Sequence, residues 1–414
     1  MKWNWQQKDW PNFIYKNNLF DEIENKFLYR SGFLIGAYSN INEVDKENLT
    51  IELISEEALK TSEIEGEYLN RDSVQSSIRR NFGLDSDHRK GSAAEQGIAE
   101  MMVDSHLSYL DELSHETLFK WHKMLSNGRR DLKSIGEYRT HNEPMQVVSG
   151  PLHNPKVHFE APPSHLMQNE MDLFIEWFNN SAPAGKAPMR ALTRASIAHL
   201  YFVSIHPFED GNGRIGRAIA EKALSQSICH PILISISHCI QNYTQHELRF
   251  LAGERVPRSA SVPFVHAHRR SRCSTNQDLY SLRVYKKLYY EMLEINNKNL
   301  KIDGWIEYFS DLILTSLNYS QNKIEFLIEK TKLYDKFREK LNLRQEKAIA
   351  RIFKEGIEGF CGGLSADNYI SITKTSRATA TRDLQDLVEK GVCIKTGELK
   401  STRYFLNIKT KCIT

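Results

Sequence analysis

A chain of 414 residues with 55 Lys and Arg against 52 Asp and Glu carries a formal charge of only +3, so it is long enough for two or three domains and its net charge alone points to no polyanionic partner. Apolar residues at 40% and charged residues at 26% exclude fibrous, collagenous and wholly disordered classes. One stretch departs from the average: Gln245 to Tyr285 holds seven Arg and no Lys, against 30 Lys and 18 Arg elsewhere.

The N-terminus, MKWNWQQKDWPNF, mixes aromatic with polar residues and lacks the apolar core of a signal peptide. Residues 1 to about 90 then read as helices with apolar positions three and four apart, as in ENLTIELISEEALKTSEIEGEYLN, and break at NFGLDSDHRKGS. More helix follows to about 130. Between 135 and 163 the helical period is lost, and two β-prone runs, Met145 to Val148 and Lys156 to Phe159, flank a Ser-Gly-Pro and Asn-Pro turn region, a hairpin signature. Helices resume at SHLMQNEMDLFIEWFNN, MRALTRASIAHLYFVSIH and, from near Arg214, RIGRAIAEKALSQ, with more from about 285 to 340. No run reaches the roughly 20 apolar residues of a spanning helix, since ALTRASIAHLYFVSIHPF is interrupted by Arg194 and His199. Six scattered cysteines (Cys229, Cys239, Cys273, Cys361, Cys393, Cys412) form no CxxC pair and fit a reducing compartment. A cytoplasmic protein without membrane contact is expected.

The last 74 residues read as three helices, LRQEKAIARIFKEG, SADNYISIT and SRATATRDLQDLVEKG, followed by two strands in CIKTGELKSTRYFLNI. That is the winged helix-turn-helix order, with the third helix as the groove reader. This segment has 13 basic and 8 acidic residues, a charge of +5, leaving −2 for the remainder. Arg377 and Arg382 are candidate DNA contacts, whereas Asp383, Asp386 and Glu389 on the same helix argue for a mixed or protein-binding face.

HPFEDGNGRIGR, His206 to Arg217, joins an apolar helix to an amphipathic one and suits phosphate chemistry. Gly211 and Gly213 around Asn212 let the backbone turn tightly and aim amides at an anion where the next helix presents its positive end. Arg214 and Arg217, three apart on that helix, can reach phosphate oxygens. Asp210 is a hard oxygen ligand suited to Mg²⁺. His206, with an ordinary pKa of about 6.5, can accept a hydroxyl proton.

The same twelve residues resemble the Fic (Fido) signature HPFx[DE]GNGRxxR at every fixed position. The resemblance implies a mainly α protein with an all-helical Fic core that transfers AMP from ATP to a Tyr, Thr or Ser hydroxyl of a protein, the chain itself included. It makes His206 the general base, Asp210 the Mg²⁺ ligand, Phe208 a buried anchor, and Gly211, Asn212, Gly213, Arg214, Ile215, Gly216 and Arg217 the nucleotide-binding stretch. Upstream, TSEIEG, Thr61 to Gly66, resembles the family's inhibitory motif [ST]xxxE[GN], implying that Glu65 pairs with Arg217 and displaces the γ-phosphate, with Thr61 and Gly66 completing the motif. YYEMLEINN resembles the family's YY-x₆-N segment, which implies Tyr289, Tyr290 and Asn297 around adenine. The hairpin corresponds to the family's flap. The implied domains are 1–90, a helical domain with the inhibitory motif, 91–340, the catalytic core, and 341–414, the winged helix-turn-helix; a homodimer is allowed.

In the family the strand-like stretch equivalent to ILISISHCIQ leads by a short connection to the tyrosine pair, whereas here about 40 residues, 245–285, intervene. This insertion shows no sustained period and is Arg-rich. Arg269, Arg270 and Arg272 could bind an acidic partner, while His266 and His268 alone make a poor metal site. Its place beside Tyr289 raises the question of whether nucleotide binding is impaired. Two other functions stay open: a nucleotide-sensing DNA-binding regulator, and a Fic enzyme that transfers UMP or removes AMP.

Overall fold

The computed structural model describes residues 2–85, 89, 91–150, 155–242, 275–354 and 363–408. The described residues are predominantly helical, with two small antiparallel sheets. They divide into two compact units: the larger draws on 2–35, 47–242 and 275–320, the smaller on 36–46 and 321–408.

The larger unit takes most of α1 (Asp21–Ser39) and of α2 (Glu43–Ile64), followed by α3 (Arg71–Asn81), α4 (Ala93–Leu107) and α5 (His115–Leu125). Side-chain caps set these starts: Asn70 accepts from Ser73 N, Ser114 from Thr117 N, and Ser92 forms a capping box with Glu95. The hairpin follows as β1 (Gln146–Ser149) and β2 (Lys156–Glu160), paired Gln146 to Glu160 and Ser149 to Lys156 with an irregularity at Val147/Val148. His158 Nδ1 lies 2.6 Å from Glu294 Oε2, tying β2 to a later helix.

The centre of this unit is α7 (Ala191–Ile205), packed against α6 (Met167–Asn180) and α8 (Asn212–Ile228). Every α7 residue except Val203 is buried, as expected of a helix apolar on all sides. Two polar residues inside it are fully partnered or stacked: Arg194 donates to Ser181 Oγ, Ala223 O, Phe178 O and Gln226 Oε1 at 2.7–3.1 Å, and His199 stacks on Tyr289. The N-terminal tryptophans dock here too, Trp10 edge-on to Tyr201 and Trp5 donating to Glu160 O at 2.7 Å.

Three sequence expectations need correction. ILISISHCIQ is not strand-like: Ile236–Asn242 is a short helix, α9, because Glu57 of α2 accepts from Ser235 Oγ, Ser237 N and Ser237 Oγ and so fixes its first turn. Helix α8 starts at Asn212, two residues before the expected point. Helix α10 (Thr275–Asn296) starts well before 285, so the last eleven positions of the 245–285 segment have helical backbone; Arg269, Arg270, Arg272, His266 and His268 lie outside the described residues.

The long helix α11 (Asp303–Phe337) contributes to both units. The smaller unit adds α12 (Leu343–Lys354), α13 (Ala366–Thr373), α14 (Arg377–Glu389) and the antiparallel pair β3 (Cys393–Thr396) and β4 (Arg403–Leu406). Its core gathers Ile349, Phe353, Tyr369, Leu384, Leu387 and Tyr404. Among the described residues no helix is long and apolar enough to cross a membrane, and Cys229, Cys239 and Cys393 are free thiols.

Arg194 joins the ends of α6 and α8 to α7 from inside the core. Arg194→Met keeps the bulk but removes four hydrogen bonds, and urea denaturation should show a loss of about 3 kcal/mol.

Candidate active site

Helix α7 ends where His206 adopts the left-handed conformation, φ 54° and ψ 57°. For a non-glycine residue this costs roughly 1–2 kcal/mol, and it is held by Arg139, a buried residue 67 positions upstream. Arg139 donates Nε to His206 O (2.8 Å), Nη1 to Ser164 Oγ (2.8 Å) and Nη2 to Pro162 O (2.5 Å). Past Pro207, Phe208 is fully buried and stacks on His122 at 4.2 Å. Asn212 then folds back, its Oδ1 accepting from Phe208 N (3.0 Å) and its Nδ2 donating to Phe208 O (2.8 Å). These two bonds close the loop, so the Asn212 side chain shapes the cradle.

The two glycines do different things. Gly211, at φ 85°, makes the turn into α8. Gly213 is already helical, and a Cβ there would meet Glu65 Oε1 at 2.3 Å and Arg217 Nη1 at 3.1 Å. The space above the first turn of α8, where an anion is favoured by exposed amides and the helix dipole, is thus held by the Glu65 carboxylate.

Glu65 reaches this spot because α2 ends in a left-handed glycine. Gly66 has φ 88°, its N–H bonds Glu63 O (3.1 Å), and Glu67 N–H bonds Ser62 O (2.9 Å), the paired bonds of a Schellman termination. Glu65 Oε1 then accepts from Arg217 Nη2 at 2.7 Å. Arg217 is fully buried and also donates Nε to Thr61 Oγ1 (2.7 Å), Nη2 to Thr61 O (3.2 Å) and Nη1 to the Tyr289 hydroxyl (3.4 Å). Burial works against its charge, but the Glu65 carboxylate more than offsets this and keeps the guanidinium protonated. Burial pushes the Tyr289 phenol up to about 12.

Glu67 is a second carboxylate from the same turn. It pairs with Arg214 Nη1 at 2.9 Å, and Arg214 Nη2 lies 3.4 Å from Asp210 Oδ2. Asp210 in turn accepts from Arg129 Nη1 at 2.5 Å and from Gly211 N at 2.6 Å. Burial raises the Asp210 pKa, yet Arg214 and Arg129 together with the Gly211 amide outweigh it and leave it below the ordinary carboxylate value. The result is an alternating chain, Arg129, Asp210, Arg214, Glu67, beside the Glu65 and Arg217 pair. His206 has no such charged partner; burial takes its pKa down to about 4, and Nδ1 lies 3.3 Å from Val203 O. With Nδ1–H directed at that carbonyl, Nε2 is left as the acceptor of a neutral imidazole.

Of the tyrosine segment, Tyr289 lies beneath Arg217, and Tyr290 donates toward Ile64 O (3.4 Å) and Glu65 Oε2 (3.5 Å). Asn297 follows the end of α10, two turns further on, and touches none of this group; its buried Oδ1 has no hydrogen-bond partner among the described residues. Ile215 is fully buried, and Gly216 lets α8 approach α7, since a Cβ there would lie 2.9 Å from His199 Nδ1.

Residues 112–224 match the Fic/DOC family, and residues 3–84 match a domain of unknown function (DUF4172). Residues 112–224 are a Fic family domain. The chain is similar to a protein adenylyltransferase, fic-1, of Caenorhabditis elegans, 27% identical over 133 residues, 32% of this chain and 23% of that one. It is also similar to a probable protein adenylyltransferase of Aquifex aeolicus, 30% identical over 69 residues, 17% of this chain and 20% of that one. The matches thus span less than a quarter of these relatives. Among solved structures, a Fic family protein from Desulfovibrio desulfuricans aligns at 17% identity with a TM-score of 0.48, covering 96% of this chain and 97% of that one. A C. elegans Fic-1 fragment aligns at 18% with a TM-score of 0.44, covering 73% of each chain.

This Fic site uses side chains that sequence reading did not single out. Arg139 and Arg129 are distant from the signature in sequence, and nothing local marks them. Glu67 did carry a signal: a helix ended by a left-handed glycine turns the next residue back toward the helix, and TSEIEG is followed by that acid.

Because Gly66 sets the positions of both carboxylates, Gly66→Ala forces an L residue to φ 88° and costs about 1–2 kcal/mol. The expected outcome is a lower thermal midpoint together with faster amide hydrogen exchange at residues 65–67. Unchanged exchange there would show that the turn does not depend on this glycine.

Proposed function

We propose that this chain is a protein adenylyltransferase held at low activity by Glu65. The observation that carries the reading is the seating of the Glu65 carboxylate over Gly213 and against Arg217, in the place the signature offers to a nucleotide phosphate. In the proposed reaction a Tyr, Thr or Ser hydroxyl oxygen bonds to the α-phosphorus of ATP while the bond to pyrophosphate breaks. The hydroxyl proton passes to His206 Nε2, which burial keeps neutral. The α8 amides and the two arginines lower the cost of charge on the phosphoryl oxygens without forming a covalent intermediate. Tyr290, partly exposed beside Glu65, is placed to meet the nucleotide, and the exposed β1 strand offers an edge against which a target segment can be aligned.

The donor set fits Mg²⁺. Asp210 is an ionised, partly exposed carboxylate next to the anion cradle, and one carboxylate completed by substrate phosphates and water is an ordinary Mg²⁺ arrangement. Bound there, the cation would neutralise phosphate charge. Asp210 must first exchange Arg129 for it.

Intact-mass spectrometry after incubation with each nucleotide and Mg²⁺ tests the reading. Glu65→Gly should gain one AMP from ATP, on itself or on added target, at about tenfold or more the wild-type rate. His206→Ala in that background should gain nothing. Glu67→Gln should give a smaller rise, about threefold. Absence of any nucleotide adduct on Glu65→Gly would contradict the proposal, and an adduct from UTP in place of ATP would change the transferred group.

The pH profile is a separate check. A base with a pKa near 4 stays neutral as pH falls from 8 to about 5, so labelling by Glu65→Gly should show no loss with a midpoint near the ordinary histidine value of about 6.5. A midpoint there would mean that His206 is not shielded as the structure places it.

A further inference from the structure

In the smaller unit two acids of α14 are engaged by neighbouring side chains. Asp383 is buried and accepts from Arg344 Nε (2.7 Å) and Nη2 (3.1 Å), the Tyr369 hydroxyl (3.0 Å) and Asn342 Nδ2 (3.2 Å). Asp386 accepts from Gln345 Nε2 (2.7 Å) and Lys390 Nζ (2.5 Å). Both acids serve the joint between α12, α13 and α14, together with buried Ala380, Leu384 and Leu387. Of the three acids that suggested a mixed face, Asp383 is thus withdrawn from solvent, Asp386 is partly exposed and paired with Lys390, and Glu389 is exposed.

The exposed positions of α14 are Arg377, Ala378, Thr381, Arg382 and Gln385, with Glu389 only at the far end, where it accepts from Gln385 Nε2. Ser376 caps the helix through Thr379 N, so the first two turns project this row from a fixed start. Arg377 is paired with Asp367 at the edge of the row. Arg382, in the middle, makes no hydrogen bond or ion pair among the described residues. Beyond α14 the exposed end of β3 adds Lys395 and Thr396, the turn that follows carries exposed Glu398 and Leu399, and the C-terminal 74 residues sum to +5.

We propose that this unit binds duplex DNA, with the outer face of α14 in the major groove and the end of β3, with Lys395 and Thr396, against the flanking phosphates. The charge is complementary to phosphate, Asp383 is spent inside the unit and Asp386 is neutralised by Lys390, and the exposed row up to Gln385 is small, hydroxylated and cationic, the types that reach base edges. A protein-docking face would instead centre on exposed aromatic or aliphatic anchors, and this row has none. The inference is independent of the chemistry at His206.

The test uses the full chain and a pool of fluorescein-labelled duplexes with a randomised core. Selection should enrich a sequence, and anisotropy should show binding that weakens steeply as salt rises from ~50 to ~200 mM. Arg382→Ala should weaken binding to the enriched duplex about tenfold or more and relax its preference at one base pair. Arg382→Lys should keep binding to unselected duplex but lose that preference. His206→Ala should bind as wild type. No enrichment and no anisotropy change at ~50 mM salt, or enrichment insensitive to Arg382→Ala, would overturn the proposal, as would capture of a protein segment on this face in place of DNA.

Discussion

The larger unit is organised around a positive charge with no access to water. A buried guanidinium without partners would cost several kcal/mol, so the Arg217 side chain dictates what surrounds it: a carboxylate from the end of α2, a hydroxyl and a carbonyl from Thr61 on the same helix, and a phenol from α10. Three segments far apart in sequence meet at one residue. The Gly66 turn, the bare backbone at Gly213 and the close approach at Gly216 all make room for that meeting.

The same requirement gives the site two alternative partners for one cation. A phosphate presented over α8 satisfies Arg217 as well as Glu65 does, and both want the helix N-terminal amides. Two anions cannot share the space above Gly213. The parallel chain Arg129, Asp210, Arg214, Glu67 repeats the arrangement around a buried Arg214, with its other three members partly exposed. In the proposed function Glu65 is the main restraint, because its carboxylate lies over Gly213, and Glu67 adds to it. His206 stands apart, fixed through its backbone by Arg139 and kept neutral by burial.

What could be read from the sequence was what local pattern determines. The helical periods, the 145–159 hairpin and the three helices with a terminal strand pair all rest on spacing within a few turns of chain. HPFEDGNGRIGR and TSEIEG were legible because their residue types are adjacent in sequence. What escaped depended on distant partners. Isoleucine-rich ILISISHCIQ reads as a strand, but the Glu57 carboxylate makes its second half a helix. Asn212 looks like a loop residue between glycines, yet its amide bonds to Phe208 start the helix early. Asp383 counts as a surface charge until Arg344 and Tyr369 are seen to surround it, and Arg139 has no local feature that links it to His206.

Calorimetric titration with a non-hydrolysable ATP analogue and Mg²⁺ measures the competition at Arg217 directly, without requiring turnover. If Glu65 and the nucleotide contend for that guanidinium and the space over Gly213, Glu65→Gly should bind the analogue about tenfold or more tightly than wild type, and the gain should disappear when Arg217→Ala is added. Equal affinity in wild type and Glu65→Gly would contradict the account.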